Sequence, residues 1–221
     1  METLVVEAEK FVISYLNEHL DSKFVYHNLP HTQRVVKKVQ ELTNADGQND
    51  IEKNILEIAA WFHDTGFTKT IEGHEKESVT IASEFLKSKA VDDETIDMIT
   101  NIILATQMGY EPKTKLEGII KDADCAHVSS KKYDEYACLL KKERELTLDK
   151  GISKTDWIKA NITFLTQHTF YTDIAASKWE KRKGKNLANL LQNQNKIKGA
   201  TEKLNQKKAE LNFKKQKMDL P

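Results

Sequence analysis

The sequence predicts an all-α fold, and three observations lead to it. Apolar residues recur at helical spacing in nearly every segment, whereas no stretch alternates with period two between hairpin turns. Three prolines and eight glycines among 221 residues leave long helices possible almost everywhere.

Taken in order, a first helix carries Leu4, Val5, Ala8, Phe11, Val12, Tyr15 and Leu16 on one face. A second follows Asn28 and Pro30, both suited to a helix start, and presents Val35, Val36, Val39 and Leu42. A third is expected from about Asp50 to Phe62. The fourth begins near His74 with Val79, Ala82, Phe85 and Leu86 inward, and the fifth opens at Asp92 or Asp93 and runs through Ile96, Ile99, Ile102 and Ile103. Further helices are expected over Lys115 to Val128, Tyr133 to Arg144, and Lys154 to about Trp179. Trp61, Trp157 and Trp179 read as core residues.

Beyond that point the texture changes to Lys, Asn and Gln. Leu190, Ile197, Leu204, Leu211 and Met218 repeat every seven positions, but the companion row of Leu187, Gln194, Thr201, Lys208 and Lys215 is polar after its first member. A coiled coil needs both rows, so a solvated helix or a loosely packed connector is expected. The expected division is residues 1–177 as the folded body and 178–221 as a basic helical tail or linker.

Thirty-four basic residues balance thirty-four acidic ones, so net charge gives no reason to expect nucleic acid as the main partner. The balance hides an asymmetry: residues 178–221 hold thirteen Lys or Arg against four acids, and residues 1–177 hold twenty-one against thirty. The two cysteines, Cys125 and Cys138, form no CxxC pair and read as reduced thiols of a cytoplasmic protein. No apolar run approaches the roughly twenty residues that span a bilayer.

The chemistry-bearing feature is His63-Asp64, placed where the apolar run from Ile55 to Phe62 ends. Burying both side chains is costly unless something such as a metal ion satisfies them. Asp124 is a second anomaly. It falls at the edge of the apolar face formed by Leu116, Ile119, Ile120 and Ala123, with His127 near the middle of that face and Asp122 on the opposite side. A salt bridge to Lys121 or Arg34 would be the structural alternative for Asp124. His31, at the start of the second helix, completes the candidates.

Together, the segments 26–35 (YHNLPHTQRV), 59–67 (AAWFHDTGF), 74–78 (HEKES) and 121–128 (KDADCAHV) resemble the HD-domain superfamily of metal-dependent phosphohydrolases over about residues 5–175. The resemblance implies an HD-domain helical bundle, here with a long basic C-terminal helix. It makes His31, His63, Asp64 and Asp124 the ligands of one divalent ion. A mixed nitrogen and oxygen set suits Mn, Mg, Fe, Co, Ni or Zn without choosing among them.

Two departures favour a single ion. Ala105, Thr106 and Gln107 stand where two-metal members often have a His-His pair, and Phe67 replaces the lysine of many cyclic-dinucleotide phosphodiesterases. His27 and His74 remain possible extra ligands. The expected activity is hydrolysis of a small nucleotide or related phosphoester by metal-activated water. Asp64 and Glu75 are the catalytic candidates, and Arg34, His27 and Lys121 are candidates for holding the substrate. The alternative is a nucleotide-binding sensor that signals through the C-terminal helix to a partner, a second copy or a further domain.

Overall fold

The computed structural model describes residues 1–218, with side chains of the last helix described as far as Lys207 apart from Leu204. Among the described residues every regular element is a helix. Helix α1 (Glu2–His19) buries Leu4, Ala8, Val12 and Leu16, a single stripe at four-residue spacing. Helix α2 (Leu29–Asp46) starts as expected: Asn28 accepts from the His31 amide at 3.3 Å, and Pro30 sits in the first turn. It stops at Gly47, whose φ of 72° is left-handed and suits glycine.

Helix α3 (Asp50–Phe62) has the predicted bounds, set by a capping box between Asn49 and Glu52. Its second half buries Ile55, Leu56 and all of Ile58 to Phe62. A helix apolar on every side belongs in the middle, and α3 packs against α1 and α2 and, beyond them, α4 (His74–Ser88), α5 (Asp93–Ala105) and α6 (Lys115–Asp124). The central helix therefore delivers His63-Asp64 to the heart of the bundle.

The remaining elements are α7 (Tyr133–Leu148), α8 (Lys154–Gln167) and α9 (Asp173–Met218), with short 3-10 turns at Thr65–Thr68 and Cys125–Ser129. Three expectations change. The helix expected to Val128 ends at Asp124 and tightens into the second 3-10 turn. The helix expected over Lys154 to Trp179 is two, broken at residues 168–172. The break is made by Asp122, which is buried and accepts from the Tyr171 amide (2.8 Å), the Thr172 amide (2.9 Å) and Thr172 Oγ1 (2.7 Å). Trp61 and Trp179 are core residues, but Trp157 is only half-buried, beneath the Arg144 guanidinium.

Asp122→Ala should strand two amides at the head of α9 and cost about 2 kcal/mol or more. The thermal midpoint should fall by roughly 5 °C or more on that basis, and an unchanged melt would mean that the break does not depend on this carboxylate.

Helix α9 runs without interruption through the division expected between residues 177 and 178. Trp179, Lys183, Asn186 and Leu190 are all buried, because Asn186 Nδ2 donates to the Val128 and Ser130 carbonyls and Lys183 Nζ to the His168 carbonyl. Of the seven-residue row, Leu190 belongs to this packing, and the side chains of Leu204, Leu211 and Met218 lie outside the described residues. No described helix is long and apolar enough to cross a membrane. Cys125 and Cys138 are both free thiols.

Candidate metal centre

Three helix ends converge on one point. His31 lies in the first turn of α2, His63 at the end of α3 with Asp64 beside it, and Asp124 is the last residue of α6. The chain around His63 is fixed by side chains rather than by a regular helix. Thr65 Oγ1 donates to the Phe62 carbonyl at 2.8 Å. Ser78 Oγ donates to the His63 carbonyl at 2.7 Å and accepts from the Gly66 amide at 2.8 Å, so α4 holds both ends of the turn. His63 Nδ1 donates to the Ala60 carbonyl at 2.8 Å, which leaves Nε2 as the nitrogen offered to a ligand.

The Nε2 atoms of His31 and His63 face each other across 3.3 Å. Asp64 Oδ2 is 3.2 Å from the first and 3.1 Å from the second, and Asp124 Oδ1 is 3.1 and 3.8 Å from them. His31, His63 and Asp124 each offer an atom within 4.8 Å of the others, a group that could hold a divalent ion. Asp64 belongs to the same cluster through Oδ2, a buried atom with no hydrogen-bond partner of standard geometry. Two inward imidazole nitrogens with an orphaned carboxylate oxygen between them fit a divalent cation.

Without an ion the cluster must share protons. Burial by itself would lower the pKa of His63, but the charge and hydrogen bond of Asp64, with help from Asp124 and the Ala60 carbonyl, lift it to about 9. His31 is raised against its burial by hydrogen bonds to Asp124 and Asp64. Burial would raise both aspartates, yet the imidazoles hold Asp64 well below the usual carboxylate range and lower Asp124 as well. The neighbouring His127 is pushed down to about 4, by burial above all. It is a neutral wall of the site.

A cleft of about 260 Å³ opens beside the cluster, lined by His31, Arg34, Asp124, His127, Ser130 and Tyr136 among others. Arg34 lies over the Tyr136 ring at 4.5 Å and the Tyr26 ring at 5.7 Å. These rings fix its guanidinium, which has no carboxylate partner among the described residues. Asp124 pairs with the two imidazoles and with neither Arg34 nor Lys121. Lys121 Nζ instead donates to the Ala105 (3.1 Å) and Gln107 (2.7 Å) carbonyls at the end of α5, and burial lowers its pKa against the opposing charges of Asp124, Glu111 and Glu75.

Glu75 is buried in the first turn of α4, with His74 Nε2 3.7 Å from its Oε1 and 3.6 Å from Asp64 Oδ1. Phe67, in the position of the missing lysine, is wedged between His27 (ring centroids 4.7 Å apart) and His74 (3.8 Å). Although α2 begins only at Leu29, His27 still reaches the cluster, its ring edge-on to His31 at 5.5 Å.

Sequence reasoning missed Ser78 and Glu143. Ser78 stood in a quoted segment without a role, and nothing in the run around Glu143 marks it. Residues 29–128 match the family model described as HD domain. No curated protein and no solved structure matches the chain.

Proposed function

Residues 29–128 belong to the HD domain family, and from that premise we propose that the protein is a metal-dependent phosphohydrolase acting on a small nucleotide or related phosphoester. The observation that carries this reading is the convergence of two imidazole Nε2 atoms and two carboxylates beside a cleft whose arginine has no carboxylate partner among the described residues. His31, His63, Asp64 and Asp124 would hold one divalent ion, of the group Mn, Mg, Fe, Co, Ni and Zn. Such an ion polarises a phosphoryl oxygen and makes bound water a better nucleophile near neutral pH.

The protein's side chains supply the remainder. Arg34 presents its fork to the phosphate, oriented by Tyr26 and Tyr136. Glu75 would orient the attacking water and accept its proton at Oε1, inside a wall that limits competing solvent. His27 and Lys121 would be further substrate contacts. Asp64 is the carboxylate that lies within 3.2 Å of both imidazoles.

A second reading has its own observation. The 3-10 turn that follows Asp124 is bolted to α9 by Asn186 and by Ser129 Oγ, which donates to the Trp179 carbonyl at 2.8 Å. A ligand that shifts this turn would move α9, as a sensor module requires. Purified protein loaded with Mn and screened against nucleotides separates the two: turnover supports the hydrolase, and tight binding without turnover supports the sensor. Arg34→Ala should raise KM roughly tenfold or more through loss of a charge-assisted phosphate contact, with a smaller change in kcat. An unchanged KM would remove Arg34 from the substrate site.

A further inference from the structure

We propose that Glu143 is a positioning residue that aims His27 into the site, where His27 contacts the phosphate of the substrate; the inference rests on the phosphohydrolase reading. Both residues lie outside the residues that match the HD family model. Glu143 stands on α7, yet it reaches back 116 positions to the segment just before α2. It is 4% exposed, and its two oxygens have separate tasks. Oε2 accepts from the Tyr26 amide (2.7 Å) and the His27 amide (2.9 Å), which anchors the segment. Oε1 is bonded to the His27 ring at Nδ1.

A purely structural clamp needs only Oε2. The second oxygen orients an imidazole whose surroundings are already rigid: one face stacks on Phe67 and an edge meets His31. Burial would raise Glu143, but the His27 hydrogen bond and charge, with the two amides, hold it below the usual range. An ionised carboxylate makes Nδ1 the donor and leaves Nε2 for the phosphate, where it accepts from a protonated phosphoryl oxygen or, in the doubly protonated ring, donates to an ionised one. The His27 side chain is 25% exposed, so its ring is open to solvent while it lies 5.5 Å from that of His31.

Glu143→Gln tests this, because the amide oxygen can still accept from the two backbone amides while its NH2 cannot accept from Nδ1. The probe is inorganic phosphate bound to Mg-loaded protein, followed by calorimetry and by the 15N signals of the histidine rings and arginine guanidinium groups. Phosphate should shift the His27 ring signals in the unmodified protein. Glu143→Gln should weaken phosphate binding by roughly 10-fold, within the range for loss of a carboxylate that orients a site histidine, with metal affinity and thermal midpoint retained. The same change in a His27→Ala background should have no further effect.

A His27 ring that ignores phosphate while Arg34 responds would overturn the proposal and leave the phosphohydrolase reading standing. An equal loss on adding Glu143→Gln to His27→Ala would overturn it too. If phosphate perturbs neither Arg34 nor His27, both the proposal and the reading fall.

Discussion

Asp64→Ala is expected to abolish stoichiometric metal binding and to lower kcat/KM by at least roughly 100- to 1,000-fold, the scale for removing one preorganised electrostatic group. Asp64 Oδ2 lies within 3.2 Å of both inward imidazole nitrogens, whereas Asp124 Oδ1 is 3.1 and 3.8 Å from them. The same carboxylate is the main reason that His63 is lifted to about 9. A metal must displace that proton, so apparent affinity should rise with pH up to about 9, by about tenfold per unit for each proton released. In Asp64→Ala any residual affinity should lose most of that dependence. Calorimetry at several pH values reads both effects, and retention of full metal and activity in the variant would remove Asp64 from the centre.

The same groups set how the metal-free fold responds to pH. His63 rises from its ordinary 6.5 to about 9 on folding, so its stabilising contribution is complete below about pH 6.5 and is lost as pH climbs through 9. Asp64 and Asp124 are lowered from 3.8, so theirs is present above that pH and lost as pH falls below it. With chelator present, the melting temperature should therefore be highest between about pH 4 and 6.5 as far as these groups control it.

Gly66→Ala should be the most damaging small substitution outside the ligands. A Cβ there would stand 1.9 Å from the His74 carbonyl oxygen and 2.8 Å from the Ser78 amide nitrogen. Both are backbone atoms of α4, so no rotamer change relieves the clash. The turn must separate from α4, breaking the Ser78 bridge between His63 and Gly66, at a cost of about 3 kcal/mol or more. The thermal midpoint should fall by roughly 6 to 12 °C and metal binding should weaken together with it. A variant that melts like the parent protein would show that α4 does not pack against this turn as described.

Local signals were the legible ones. Asn28 with Pro30, and Asp92, each cap the helix they announce, because capping acts within three or four residues. His63-Asp64 and Asp124 were visible as polar groups against apolar stripes, a conflict that sequence alone displays. What escaped depends on distant partners. Asp122 faces away from the stripe it was judged against, yet it is buried because the head of α9 folds over it, 50 positions along. The break at 168–172 comes from the same contact. Lys121 is a candidate substrate contact in the sequence, yet two of its donors go to carbonyls at the end of α5. Glu143 in a Lys- and Arg-rich run looks solvated until α7 is laid against the segment before α2.

The most direct measurement is titration of metal-free protein with Mn at pH 8, by calorimetry in buffers of different ionisation enthalpy. One ion per chain with proton release is expected, and that binding should be lost in each of His31→Ala, His63→Ala, Asp64→Ala and Asp124→Ala. Two ions per chain, no binding by the unmodified protein, or unchanged binding by any of the four variants would contradict a single ion held by these four side chains.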